Sequence, residues 1–386
     1  MNDADKPLKV IEPAQAQLLQ PLLRDLGLDE NDAARVQEYV GRASSPATIK
    51  AYRSDWALFE QWCADNGYTS LPATPAVTAA FLTLLAEKGY ASSAPRRSKL
   101  GAELPPLAPR PLAAPTIDRR LAAIVFAHNA KGEVPPTKQP DAVRLEKAMR
   151  GIRRAKASRQ KVKKAAADGD VLRDMLRSID GESLRDYRDR ALLAIGMAGA
   201  LRRSELVAIR MRDLTFEARG LKIFIPSSKA DQEGRGAVIA IPDGKRLEPV
   251  RHLKAWIERG ELLQIGPDVS EEILPDPEHL EHPGNRCVFR RLTPQGRLPK
   301  NPAPGTYGMK DKGVAAVVKR AALAAGQDPA LFSGHSLRAG FLTEAGRQDA
   351  NLFKMREHSR HASIEQVAGY VRDEEKFRGH AGDKFL

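Results

Sequence analysis

The feature that most constrains the fold is a basic segment near the middle of the chain. Residues 153–164 read RRAKASRQKVKK and are followed by AAADGD, a stretch of small and polar residues. Such a sequence offers too little apolar surface to join a hydrophobic core. The 386 residues are enough to build a separate core on each side of it. The segment therefore predicts two domains joined by a basic linker over residues 156–169.

The net charge of the chain indicates what kind of partner it binds. Lys and Arg number 62 against 49 Asp and Glu, a formal charge of +13, which favours an anionic partner such as nucleic acid or an acidic membrane surface. The longest apolar run, 191–201, is interrupted by glycine and is shorter than the roughly 18 residues that a membrane span needs. The N-terminus is polar and unlike a signal peptide. We therefore expect a cytoplasmic protein with no membrane partner.

Several kinds of functional site have no support in the sequence. Cys63 and Cys287 are far apart and have no His or Cys neighbours at ligand spacing, which argues against zinc and against a disulfide framework. The only Gly-Lys step, Gly244-Lys245, is followed by Arg246 rather than Ser or Thr, so it is not a phosphate-binding loop. We expect no cofactor.

The first half of the chain predicts a small bundle of helices over residues 44–155. Ser45 and Pro46 form a helix start, with a capping serine followed by proline in the first turn. Further predicted helices cover Pro75–Lys88, Thr116–Asn129 and Pro140–Arg154. Residues 91–115, rich in Pro, Ala and Arg, are predicted to be an irregular surface insertion. Residues 1–43 are a leader of unknown role, with short helices predicted over 15–26 and 30–40.

The second half, residues 170–386, predicts a domain that is mainly α with a small antiparallel β-sheet. Two β-rich runs, 221–225 and 237–241, flank the polar segment SSKADQEGRG and suggest a hairpin. Helices are predicted over residues 171–178, 186–198, 204–209, 246–258, 310–325, 336–347, 351–357 and 363–372. Residues 264–308 are Pro-rich and are predicted to be a loop with one possible strand at 288–291.

Three short motifs in this second half carry candidate chemistry. They are ALRRSEL at 200–206, GHSLRAG at 334–340 and SRHASIEQVAGYVRD at 359–373. On a helix, residues three apart share a face, which pairs Arg202 with Glu205 and His335 with Arg338. Taken singly, each of these residues is more often structural, as a surface ion pair or a core aromatic side chain. Their joint order carries more weight than any single residue.

Four patterns follow one another along the second half of the chain. They are Arg-x-Ser-Glu-Leu, Ser-Lys-x-Asp-Gln in the predicted hairpin, His-x-x-Arg, and a His nine residues before a Tyr. This order resembles the complete signature of the tyrosine recombinase (phage integrase) family. The resemblance runs from about Ser45 to the C-terminus, and the pattern AYRSDW at 51–56 looks like the family's core-binding domain. It implies a helical-bundle core-binding domain over 44–155 and a catalytic domain over 170–386.

The resemblance implies a set of catalytic residues: Arg202, Lys229, His335, Arg338, His361 and the nucleophile Tyr370. Two arginines would neutralise the phosphodiester and donate hydrogen bonds that strengthen as charge develops. Lys229, preferred over Lys222 because it matches Ser-Lys-x-Asp-Gln, would protonate the leaving 5′ oxygen. The sequence does not separate the duties of His335 and His361. Glu205 is assigned a supporting role in orienting Arg202 or a histidine.

The implied partner is double-stranded DNA, with four protomers acting on two sites and with room for accessory DNA-bending or directionality factors. The predicted DNA contacts are basic residues of the first domain and linker: Lys50, Arg53, Arg119, Arg120, Arg153, Arg154, Lys161, Lys163 and Lys164. No metal is implied. A magnesium-dependent nuclease would need a convergent acidic cluster, and the nearest pair, Asp168 and Asp170, lies at the linker.

Two other functions fit part of the pattern. A type IB topoisomerase-like enzyme would use the same chemistry to nick and reseal one strand without exchanging partners. An accessory protein would keep the fold and bind DNA without cutting it. The dedicated first domain favours recombination over relaxation, and the intact catalytic set argues against a protein that only binds.

Overall fold

The structure is a computed structural model that describes residues 35, 45–91, 96–97, 103–105, 108–157, 164–226, 236–260, 262, 286–299 and 307–374. The chain forms two compact units, Met1–Lys161 and Val162–Leu386. Lys229, Lys161 and Lys163 lie outside the described residues. So do the predicted leader helix over 15–26 and all of the one over 30–40 except residue 35, which is helical. No helix in the described ranges combines the length and hydrophobicity needed to cross a membrane.

The first unit is built from helices, as its periodicity predicted. They are α1 (Pro46–Asp65), α2 (Pro75–Glu87), α3 (Ala114–Ala130) and α4 (Ala142–Ala157), with a 3-10 turn at Pro136–Lys138. The Ser45 side chain accepts a hydrogen bond from the Thr48 N–H, and Pro46 lies in the first turn, so the predicted helix start is present. The pairs α1–α3 and α2–α4 make the most extensive contacts.

The prediction that residues 91–115 are irregular throughout is wrong in two places. A short antiparallel hairpin pairs β1 (Arg96–Arg97) with β2 (Glu103–Leu104). Helix α3 also begins at Ala114, two residues earlier than predicted, with Pro115 in its first turn. Proline fits there because the first turn has no intrahelical use for its missing N–H.

The core of the first unit is aromatic and includes one buried histidine. Phe59 and Phe81 are fully buried and their ring centroids lie 5.1 Å apart. His128 Nε2 accepts a hydrogen bond from the Ala73 N–H at 2.8 Å, and Nδ1 lies 2.8 Å from the Ile124 carbonyl oxygen, to which it donates. This pairing requires a neutral ring, consistent with burial lowering its pKa. His128 thus joins α3 to the loop before α2.

A buried carboxylate, Asp55, holds α1 against α3. Its Oδ2 accepts a hydrogen bond from Arg119 Nε at 2.8 Å, and its Oδ1 accepts one from Arg119 Nη2 at 3.1 Å and lies 2.6 Å from Arg120 Nη1. Only 2% of the Asp55 side chain is exposed, against 46% for Arg119 and 15% for Arg120. Both arginines, predicted as DNA contacts, therefore have a structural partner.

Asp55→Asn is expected to destabilise the first unit by about 3 kcal/mol, because it leaves Arg120 buried without a counter-charge. The matched control is Asp118→Asn, which removes an ion pair with Arg153 that is exposed on both sides and should cost at most about 1 kcal/mol. Urea unfolding followed by tryptophan fluorescence would measure both, because two of the three tryptophans, Trp56 and Trp62, lie in this unit. Equal effects of the two substitutions would contradict the prediction.

The second unit is mostly helical with one small sheet, which confirms the predicted fold class. Its helices are α5 (Gly169–Arg177), α6 (Leu184–Ala198), α7 (Arg203–Ala208), α8 (Pro249–Arg259), α9 (Asp311–Ala324), α10 (Ser336–Arg347), α11 (Leu352–Ser359) and α12 (Ile364–Glu374), with 3-10 turns at Met211–Asp213 and Pro329–Leu331. The antiparallel sheet has the order β3 (Leu214–Glu217), β4 (Gly220–Ile225) and β5 (Ala237–Pro242).

Two details of the sheet differ from the prediction. The predicted hairpin is β4–β5, paired from Gly220 with Pro242 to Ile225 with Ala237, but a third strand, β3, extends it. Its sequence LTFE is only four residues long and mostly exposed, too short for a clear alternating pattern. The possible strand at 288–291 is replaced by isolated bridges at Cys287 and Arg290.

Helix α6 forms the centre of the second core. Residues 191–195 are at most 1% exposed, and the helix packs against α8 on one side and α10 on another. A Cβ at Gly196 would lie 2.7 Å from Leu337 Cδ1, so glycine allows the close approach of α10. The chain then turns at Ala200, which has φ 45°, and enters α7. This packing brings the end of α6, the start of α7 and the start of α10 together.

Candidate active site

The three sequence motifs converge at the C-terminal end of α6. Arg338 Nη1 donates to the Ala200 carbonyl at 2.7 Å, which joins residues 138 positions apart. Arg202 Nη2 donates to the Arg360 carbonyl at 2.8 Å, across 158 positions. His335 Nε2 lies 2.9 Å from the Tyr370 hydroxyl. Five of the six predicted catalytic residues therefore form one cluster, and the sixth, Lys229, lies outside the described residues.

Arg202 is oriented by Glu205 through local helix geometry. Arg202 immediately precedes α7, where its N–H donates to Glu205 Oε2 at 2.8 Å and its Nη1 donates to Oε1 at 2.6 Å. Glu205 is 2% exposed. Burial alone would raise its pKa, but the charge of Arg360 and the hydrogen bonds from Arg202 outweigh burial and lower it. Glu205 is therefore an anion that fixes Arg202, whose side chain is 22% exposed.

Arg338 lies on the floor of the cluster. It sits in the first turn of α10 and is 1% exposed. Besides the Ala200 carbonyl, it contacts His361, with Nη2 3.2 Å from Nδ1. Burial, followed by the nearby charge of Arg202, lowers its pKa to about 9, which still leaves the guanidinium positive at neutral pH.

The contacts of His361 fix its protonation. Its Nδ1 lies 2.7 Å from Ser359 Oγ and 3.2 Å from Arg338 Nη2. A guanidinium only donates, so Nδ1 is the accepting nitrogen and the ring proton lies on Nε2. Burial and then the charges of Arg338 and Arg202 lower the pKa of His361 to about 4. His361 is thus a neutral donor at physiological pH.

His335 is placed to take the proton of Tyr370. It lies directly before α10 on the exposed side of the cluster, 2.9 Å from the tyrosine hydroxyl. Tyr370 is held on α12, where its ring packs against the buried cluster of Leu342, Met355 and Val367. Loss of hydration, and then the charges of Arg338, Arg202 and Arg203, lower the pKa of His335. A neutral imidazole is a proton acceptor, so this pair has the arrangement of a base and its nucleophile.

We expect His335 to lose its ability to accept the Tyr370 proton only below the ordinary histidine pKa of 6.5. His335 faces Tyr370, Arg338, Arg202 and Arg203, and the three cations disfavour its protonation. As pH falls through this lowered pKa, His335 becomes protonated and can no longer accept a proton. The check is an NMR titration of ¹⁵N-labelled histidines in the isolated protein between about pH 5 and 8. A His335 midpoint above 6.5 would contradict the prediction.

The structure adds two side chains that the sequence interpretation did not assign. Arg360 is 9% exposed and donates from Nη2 to Glu205 Oε2 at 2.8 Å. Ser359 contacts His361 as described. Both lie inside the SRH segment that ends at His361, so the motif contained them, but nothing in the local pattern distinguished Arg360 from a surface arginine.

The other predicted residues lie apart from this cluster. Lys222, the alternative to Lys229, pairs with Glu217 at 2.6 Å on an exposed part of the sheet. Among the predicted DNA contacts, Lys50, Arg154 and Lys164 are exposed and Arg53 is half-buried. Arg153 pairs with Asp118, and both Arg119 and Arg120 pair with Asp55. Lys164 also donates to the Ala330 carbonyl at 2.5 Å.

The charge of the cluster suits an anionic substrate. Arg202, Arg338 and Arg360 bring three positive charges against the single carboxylate of Glu205. Their neutral neighbours His335 and His361 leave a net positive site. Within the described ranges, no group of three or more His, Cys, Asp or Glu is arranged to hold a metal ion. This arrangement suits an anion such as a phosphate beside the tyrosine hydroxyl.

Comparison with known proteins identifies the fold and the family. The model of the phage integrase family matches residues 167–376. An integrase/recombinase xerD homolog of Selenomonas ruminantium is 31% identical over 364 residues, covering 93% of this chain and 92% of that protein.

Among solved structures, the XerH site-specific recombinase bound to palindromic difH substrate, a post-cleavage complex, gives a TM-score of 0.58 at 14% identity, covering 95% of this chain and 88% of that one. Its pre-cleavage complex with difH gives 0.51 at 14% identity, covering 96% and 98%. Because the sequence identity is only 14%, these two structures support the fold alone. The family match and the xerD homolog show that this chain belongs to the phage integrase family of tyrosine recombinases, enzymes that cleave and rejoin DNA in site-specific recombination.

Proposed function

We propose that Tyr370 is the nucleophile with which this recombinase cleaves DNA, and that it forms a 3′-phosphotyrosyl intermediate. The observation that carries the proposal is the 2.9 Å contact between His335 Nε2 and Tyr370 Oη beside the buried arginine cluster. His335 accepts the phenolic proton while the tyrosine oxygen forms its bond to phosphorus. The bond from phosphorus to the 5′ oxygen breaks, and the leaving oxygen takes a proton, a role we assign to Lys229.

The cations supply the charge that this step requires. A phosphodiester repels an attacking oxygen until its nonbridging oxygens are neutralised. Arg202 is held through two of its N–H groups, which leaves the rest of its guanidinium for the phosphate. His361 donates from Nε2, and Arg338 contributes positive charge from beneath. Rejoining is the reverse reaction, in which a free 5′ hydroxyl displaces Tyr370, so the ester bond energy is conserved.

A pool of nicked duplexes with randomised sequence tests the proposal without knowledge of the target site. Cleavage near a nick releases a short fragment and traps the protein on DNA. We expect SDS-resistant complexes that retain a label on the DNA upstream of the break, since the protein holds the 3′ phosphate. Sequencing the trapped DNA would identify the site. Absence of any trapped DNA would contradict the proposal, and relaxation of plasmids that lack the recovered site would favour a topoisomerase-like activity.

We further propose that the first unit is the core-binding domain and that four protomers assemble on two DNA sites in the cytoplasm, among the nucleic acid they act on. The net charge of +13 and the exposed Lys50 and Arg154 support DNA contact by this unit. Accessory DNA-bending or directionality factors remain compatible with this assembly. Light-scattering mass measurement with the recovered site should give a tetramer on paired duplexes, and a monomer on paired duplexes would exclude it.

A further inference from the structure

Arg360 has an unusual backbone and an unusual environment for an arginine. It ends α11 in the left-handed conformation, with φ 56° and ψ 45°. Glycine or asparagine is the usual residue at such a position because a Cβ makes this conformation costly. Arg360 is also 9% exposed, and its Nε is buried with no hydrogen-bond partner among the described residues. A simple helix stop would not require this side chain.

The contacts of Arg360 reach both ends of the catalytic cluster. Nη1 donates to the His358 carbonyl at 2.6 Å, and Nη2 donates to Glu205 Oε2 at 2.8 Å. Nη2 also lies 3.4 Å from the Ala200 carbonyl oxygen, the acceptor used by Arg338. The Arg360 carbonyl accepts the hydrogen bond from Arg202. The next residue along the chain is His361.

We propose that Arg360 is a positioning residue of the cleavage reaction, which holds Glu205 as a shared counter-ion and thereby keeps Arg202 available to the phosphate. The inference rests on the proposed function. Arg360 does not itself bind the phosphate, because it is buried behind the cluster. It acts on two groups that we place at the phosphate, Arg202 and His361, through Glu205 and through the turn it forms.

The argument depends on how Glu205 divides its oxygens. Arg202 Nη1 takes Oε1, while Oε2 is shared by the Arg202 N–H and Arg360 Nη2. If a neutral residue replaced Arg360, Arg202 would be the one cation among the described residues that keeps a hydrogen bond to the Glu205 carboxylate. The Arg202 guanidinium would then form a bidentate ion pair with both oxygens of Glu205, which is the geometry that arginine and carboxylate prefer. In that position it would point away from the phosphate. Arg360 prevents this by satisfying Oε2.

The test compares Arg360→Met, Arg360→Lys, Glu205→Gln and the double variant Arg360→Met/Glu205→Gln. The probe is the duplex recovered by covalent trapping with the wild-type protein. We expect Arg360→Met to slow trapping by about ten- to hundredfold while DNA affinity changes little. Arg360→Lys should recover part of the rate because it restores the charge. The double variant should be no slower than Glu205→Gln alone, because both substitutions remove the same interaction.

A second measurement reports on the site without DNA. In ¹⁵N-histidine titrations the His361 midpoint should rise in Arg360→Met, because one of the charges that oppose its protonation is gone. The groups that face His361 are Arg338, Arg202, His335, Ser359 and Tyr370, and all remain. Arg246→Met is the control, since Arg246 pairs with Asp170 away from the cluster. It should leave both the trapping rate and the midpoint unchanged.

The outcomes separate the two proposals. If the wild-type protein traps no duplex, the proposed function fails and this inference fails with it. If the wild type traps DNA and Arg360→Met traps it equally fast, only the inference is overturned. Rate losses that add up in the double variant would also overturn it, because they would show that Arg360 does not act through Glu205. Thermal unfolding of each variant identifies any rate loss that comes from an unfolded fraction.

Discussion

Tyr370→Phe is expected to reduce covalent DNA trapping to background while leaving DNA affinity within about twofold of wild type. The substitution removes only the hydroxyl oxygen that would bond to phosphorus, and no other group of the cluster takes its place. The ring is packed against Leu342, Met355 and Val367, and phenylalanine keeps these contacts. The protein therefore stays folded, binds DNA and does not cut it.

Tyr307→Phe is the matched control for this substitution. Tyr307 lies in the same unit and is 38% exposed, outside the cluster. Its loss of a hydroxyl should leave the trapping rate unchanged. Covalent complexes formed by Tyr370→Phe at a rate near wild type would show that another residue is the nucleophile.

Arg338→Met is expected to slow cleavage by roughly a hundred- to thousandfold. It removes a positive charge beneath the phosphate and the hydrogen bond to His361 Nδ1. The pKa of His361 should rise, because among the neighbouring charges Arg338 lowers that pKa the most. The rate of trapping on the recovered duplex and the His361 titration would measure the two effects.

The same substitution should change the free energy of unfolding by no more than about 1 kcal/mol. The lowered pKa of Arg338, about 9, means that the folded state disfavours its charge, so at neutral pH this charge opposes folding. Methionine fills a similar volume without that charge. The loss of the hydrogen bond to the Ala200 carbonyl lowers the free energy of unfolding and so offsets this gain. Activity and stability should therefore separate.

Arg188→Met supplies the contrast. Arg188 is also buried, but it donates to Asp189 at 2.8 Å, away from the cluster. Its removal leaves the buried Asp189 carboxylate with Arg320 as its remaining described ion-pair partner. We expect the free energy of unfolding to fall by about 2 kcal/mol or more. The folded fraction should retain its trapping rate. If Arg338→Met instead lost stability and Arg188→Met lost catalytic rate, the assignment of roles would be wrong.

Some of the site follows from local sequence alone. Arg202 and Glu205 are three apart at the start of a helix, and that spacing suffices to bring the carboxylate to both the N–H and the guanidinium of Arg202. Ser45 and Pro46 predicted a helix start for the same reason, because capping involves only neighbouring residues. The order of the motifs was likewise sufficient to suggest the family.

Other features depend on contacts between distant parts of the chain. Strand β3 is only four residues and gains its partner from β4, so its pattern was too short to detect. Arg119 and Arg120 have the sequence of an exposed basic pair, but α1 brings the buried Asp55 to them. No local rule distinguishes an arginine that meets DNA from one that meets a carboxylate across a core.

In the catalytic cluster, too, some features follow from local sequence and others from contacts between distant residues. By itself the sequence determined which residue types occur, their order and the helices that carry them, because periodicity and capping act within a few residues. Only the tertiary structure decided that Arg338 meets Ala200, that Tyr370 meets His335, and that Arg360 is buried against Glu205. Those contacts depend on the packing of α10, α11 and α12 around the end of α6, which is fixed by side chains spread over nearly two hundred residues rather than by any motif.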